Sequence, residues 1–121
     1  MVRRGWHIER DTRTLTLSRA GRAGFDVSAS TRLPFGPVSR ARLAHQIRQD
    51  MWRSLRHITG FSPVVRIERD GPMLTLTAGG EISRKPFPHA QIEARIASLL
   101  TDPAHLRRWR ACARVREVEN A

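Results

Sequence analysis

Lysine is almost missing from this chain of 121 residues: among 22 basic residues only Lys85 is a lysine, and the rest are arginines. Tyrosine is absent and Asn120 is the single asparagine. Residues with AT-rich codons are scarce as a group, so a GC-rich genome accounts for arginine in lysine's place, and that exchange says nothing of function. Codon bias does not account for the shortage of acid. Only 11 Asp and Glu residues face the 22 basic ones, which leaves a formal net charge of +11. A field of that size on a small domain draws polyanions at long range, whether nucleic acid, an acidic protein surface or anionic lipid.

The other shortages narrow the class of protein. A single cysteine, Cys112, excludes an internal disulfide; it stands in a helical run with no second Cys or close His pair, and reads as a small buried hydrophobe. No apolar run approaches the roughly 18 residues that cross a bilayer. After Met1-Val2-Arg3-Arg4 comes an alternating stretch carrying Glu9, Asp11 and Arg13, not an apolar core, so the expectation is a chain without a secretory signal and a cytoplasmic location. Long linkers and low-complexity stretches are lacking too, and the length suits one domain over residues 1–121.

What is present is an internal repeat. Residues 8–17 read IERDTRTLTL and residues 67–76 read IERDGPMLTL, with seven of ten positions identical. Further on, Arg32-Leu33-Pro34-Phe35-Gly36-Pro37 answers to Arg84-Lys85-Pro86-Phe87-Pro88, each before a helical pattern. The two copies are expected over about 6–58 and 63–116, with 117–121 a frayed tail. In each copy apolar residues recur with period two around a polar turn: Trp6, Ile8, Leu15 and Leu17 about Asp11-Thr12-Arg13, and Val65, Ile67, Leu74 and Leu76 about Asp70-Gly71-Pro72. Both predict β-hairpins. A third strand is suggested in each copy by Phe25, Val27 and Ala29, and more weakly by 81–83.

Residues 37–58 change period, with Ala44, Ile47, Met51, Leu55 and Ile58 on one face of a helix bounded by Pro37 and Gly60. Pro88 opens a second helix with Ile92, Ile96 and Leu99 inward, ending near Thr101. Asp102 and Pro103 cap a third that buries Leu106, Trp109 and Ala113. The fold class that follows is α+β: a duplicated hairpin(+strand)-helix unit forming one mainly antiparallel sheet packed by two to three helices, with approximate two-fold symmetry.

The arginines concentrate on two of the helices. Residues 37–58 hold Arg40, Arg42, Arg48, Arg53 and Arg56 against Asp50 alone, and 103–116 hold Arg107, Arg108, Arg110, Arg114 and Arg116 with no acid. Arg42, Gln49, Arg53 and Arg56 fall opposite the apolar stripe, a face suited to a phosphate backbone. Trp52 lies off the stripe, where its ring either packs or stacks on a base; Trp109 lies on it and reads as core.

Enzymatic chemistry finds little support. His7, His45, His57, His89 and His105 are scattered, with no metal-binding spacing, so neither a metal nor another cofactor is expected. Gly79-Gly80 lacks the spacing of a phosphate loop, and no serine elbow is present. Glu9 with Asp11, and Glu68 with Asp70, read as surface ion-pair partners beside turns rather than as an acid-base pair. The leading reading is therefore a non-enzymatic, sequence-tolerant binder of DNA or RNA. Its alternative is an assembly module docking an acidic protein, with a homodimer through a sheet edge or the Phe35 and Phe87 loops as one form, because charge alone does not separate phosphate from carboxylate. A small enzyme with a site between the repeats, near His45, His57 or Asp26, is the third reading.

Overall fold

Alternating apolar residues build the sheet. In the computed structural model, which describes residues 2, 3 and 5–114, the chain runs β1 (Val2–Arg3), β2 (Trp6–Arg10), β3 (Thr14–Arg19), β4 (Val27–Pro34), α1 (Arg40–Leu55), β5 (Phe61–Asp70), β6 (Met73–Ile82), α2 (His89–Thr101) and α3 (Pro103–Ala113). The strands form one antiparallel sheet in the order β1-β2-β3-β5-β6-β4. The register sets Leu15 beside Ile67, Ile67 beside Leu76, and Leu17 beside Val65, so one face is apolar. All five of these side chains are buried, each contributing about 1.5–3 kcal/mol from leaving water. The opposite face presents Thr14, Thr16, Arg66, Glu68, Thr75 and Thr77, none of them buried. The domain is thus α+β, with helices on one side of the sheet.

Helix α1 contributes Leu43, Ala44, Ile47, Met51 and Leu55 to the core and α2 contributes Ile92, Ile96, Leu99 and Leu100. The third helix packs on α1 and α2 and buries Trp109 and Ala113. Ser39 caps α1, its side chain accepting from the Arg42 N–H, so the helix begins after Val38 and not in the Pro37 turn. The helix ends at Leu55, and Gly60, at φ +81°, belongs to the turn into β5. Among the described residues no helix is long and apolar enough to cross a membrane.

Residues 8–17 and 67–76 each form the arms and turn of a hairpin. In the first turn the Asp11 carboxylate accepts from the N–H groups of Arg13 (2.9 Å) and Thr14 (2.8 Å). These donors, Thr14 foremost, hold its pKa below the usual aspartate value of 3.8. In the second turn Gly71 takes φ +59°, as a two-residue connection demands. Asp70 pairs at the surface with Arg32 (3.2 Å) and Arg13 (3.5 Å).

Three expectations need correction. No separate strand follows Gly79-Gly80; β6 runs through both glycines to Ile82. β4 pairs along its length with β6. A Cβ on Gly79 would collide with the Val27 carbonyl oxygen, and one on Gly80 with that of Ser62, so these glycines allow close strand approach. A two-fold axis would set like strands side by side, whereas β3 lies beside β5, so the two hairpins follow each other across the sheet instead. Finally, Cys112 is exposed: Trp109 and Ala113 take the inward stripe of α3, and Cys112 lies a residue off it. The expected frayed tail, 117–121, lies outside the described residues.

Candidate functional site

The one acid of α1 is turned inward, which leaves the outer face of the helix basic. Asp50 is buried. Its Oδ2 accepts from Trp109 Nε1 at 2.6 Å and from the guanidinium of Arg108, while Arg53 Nη1 lies 3.7 Å from Oδ1. The carboxylate therefore joins α1 to α3 and is withdrawn from the surface. The outer face of α1 then presents Arg42, Gln49, Trp52, Arg53 and Arg56, all exposed, at helical spacings of three, four and seven. Trp52 is 44% exposed and is the only large apolar side chain open to solvent among the described residues.

The remaining arginines have different surroundings. Arg107, Arg110 and Arg114 are exposed on α3 or at its end. Arg110 donates to the Pro34 carbonyl (3.0 Å) and lies over the ring of Phe35, which is buried, whereas Phe87 in the other loop is half-buried. Arg40 and Arg48 are half-buried; Arg40 Nη1 and Arg48 Nε are buried atoms without a hydrogen-bond partner.

Beside Trp52 the structure adds two residues that the sequence did not single out for binding. The guanidinium groups of Arg19 and Arg48 lie 4.2 and 4.6 Å from the ring centroid of Trp6. All three line a cavity of about 280 Å³ with Trp52 and a wall of Phe61, Ser62 and Pro63. Burial, and then the charge of Arg19, lower the pKa of Arg48. Trp6 and Arg19 face each other across the first hairpin, so counting outward from the Asp11 turn was the signal available in the sequence.

The residues considered for chemistry are held by the fold or stand apart. Asp26 Oδ2 accepts from the Ile82 N–H at 2.7 Å, clamping the start of β4 to β6. His45 lines a cavity of about 380 Å³ with Trp6, Ile8 and Cys112, and His57 lines a different one. Two other histidines lie beside carboxylates, His7 by Glu9 (3.6 Å) and His89 by Glu93 (3.5 Å). No group of three or more His, Cys, Asp or Glu side chains is placed to hold a metal among the described residues. The chain matches no protein-family model, no curated protein and no solved structure.

Proposed function

We propose that this chain is a small basic nucleic-acid-binding domain that grips the phosphate backbone through arginines of α1 and α3 with little sequence specificity. One observation carries the reading: α1 turns its single acid inward onto α3 and leaves Arg42, Gln49, Arg53 and Arg56 outward around the exposed ring of Trp52. Guanidinium groups bind phosphate oxygens in pairs of hydrogen bonds, the amide adds neutral ones, and released counterions supply most of the affinity.

The test is fluorescence anisotropy of labelled duplex DNA, single-stranded DNA and RNA across about 50 to 200 mM salt, a range over which a protein gripping several phosphates weakens by orders of magnitude. Arg42→Ala with Arg56→Ala should weaken binding and flatten the plot of log affinity against log salt by about 0.7–0.9 for each phosphate that is no longer neutralised. The pair Arg32→Ala with Arg66→Ala, on the polar face of the sheet, removes the same charge and should leave that slope unchanged. A base stacked on an aromatic ring is worth about 1–3 kcal/mol, so Trp52→Ala should weaken single-stranded ligands more than duplex. Failure to bind any of the three at the lowest salt would sink the proposal and turn attention to an acidic protein on the same face.

A further inference from the structure

The cavity lined by His57 lies where the end of α1, the loop before α2 and the start of α2 meet. Its volume is about 490 Å³, within the roughly 300–1,000 Å³ of small-molecule sites. The floor is apolar: Leu55 and Ile92 are buried, and Ile58 and Phe87 half-buried. The rim is cationic or basic, with His57, Arg84 and Arg95 exposed around the opening, and no Asp or Glu lines it.

The mouth is braced. Arg95 Nη1 donates to the Ser54 carbonyl at 3.2 Å, which orients its guanidinium across the gap between α2 and α1. The Ser83 N–H and hydroxyl both donate to the Gly60 carbonyl, at 3.0 and 3.4 Å, tying the loop that carries Arg84 to the turn after His57. An apolar floor gains by covering an apolar body, and a cationic rim without carboxylates gains by meeting an anion. We propose that this cavity binds a small amphipathic anion, a carboxylate or sulfonate on an apolar body of one or two rings. A polymer backbone does not satisfy the apolar floor, and a neutral hydrophobe brings no opposite charge to the rim.

The probe is 1-anilinonaphthalene-8-sulfonate titrated into the full chain, compared with N-phenyl-1-naphthylamine, which has the same body without the sulfonate. The sulfonate should bind at least about tenfold more tightly, equivalent to about 1.4 kcal/mol, and should shift the methyl resonances of Ile58 and Ile92. Gln91 is exposed on the lining, so Gln91→Trp should fill the cavity and lower affinity about tenfold or more without touching the core. Arg84→Glu, on the exposed loop, should weaken the sulfonate and spare the neutral probe. Arg42→Ala with Arg56→Ala should leave both probes unaffected, which separates this site from the proposed nucleic-acid face. Equal affinity for the two probes, indifference to both Gln91→Trp and Arg84→Glu, or shifts centred on Trp6 and Trp52 would overturn the proposal.

Discussion

A carboxylate on the inward side of α1 is tolerable only because α3 brings donors to it. Trp109 is fully buried, and its indole N–H reaches Asp50 Oδ2 at 2.6 Å, with Arg108 on the same oxygen. Asp50→Ala strands the indole N–H in the core and releases Arg108. Breaking buried pairs removes about 3–5 kcal/mol, and the low end, near 3 kcal/mol, applies here, since the Arg108 side chain keeps 40% of its surface in water. Asp50→Asn retains the shape and an acceptor for the indole and should lose about 1–3 kcal/mol. Urea unfolding of the two variants gives the comparison; a loss below about 0.5 kcal/mol in both, the usual range for surface positions, would mean that Asp50 does not join the helices. The same pair shows why the free arginines were not readable from the sequence. Arg108 and Arg107 are neighbours in an acid-free run, yet only the packing of α3 on α1 sends one to Asp50 and leaves the other exposed.

Among the three helices, α3 is the one whose N-terminus is capped by a titrating group. The Asp102 carboxylate accepts from the N–H groups of Ala104 (2.8 Å) and His105 (3.3 Å). These bonds, His105 foremost, hold its pKa below the usual 3.8. A depressed folded-state pKa means stability fully present above 3.8 and lost as pH falls through the lower folded value. Asparagine caps a helix without titrating, so the wild type should lose stability relative to Asp102→Asn over that acid window, measured by unfolding midpoints at a series of pH values; parallel curves would count against the cap. This cap was legible, as were both hairpins and all three helices, because each rests on local period and local turn chemistry. The place of β4 was not. Nothing near Val27 says which sheet edge it joins; that depends on the bare backbone of Gly79 and the Asp26 clamp, both reaching across more than fifty residues of chain. Local reading likewise hid the grouping of Trp6, Arg19, Arg48 and Trp52, which unites a hairpin with a helix.

For the molecule as a whole, a net charge of +11 opposes folding, because the compact state crowds positive charge that the unfolded chain spreads out. Ion pairs do little to offset it: Asp70 with Arg13 and Arg32 is exposed, and such pairs are worth about 0–1 kcal/mol. Salt weakens those few pairs but screens every repulsion, with a Debye length near 10 Å at about 0.1 M. Repulsion is therefore the larger effect, and the melting temperature should rise as sodium chloride increases from about 50 to 200 mM, over the same range in which nucleic-acid affinity falls. At low salt a bound polyanion should replace this screening and add stability by mass action, about 2.7 kcal/mol when its concentration is a hundred times Kd. Differential scanning calorimetry with and without RNA, at both salt levels, measures the two effects together. Opposite slopes, with the RNA-induced shift disappearing at high salt, identify a fold that carries its charge for a polyanionic partner. A melting temperature that falls with salt would show instead that ion pairs outweigh the repulsion, and would remove net charge as an argument for that partner.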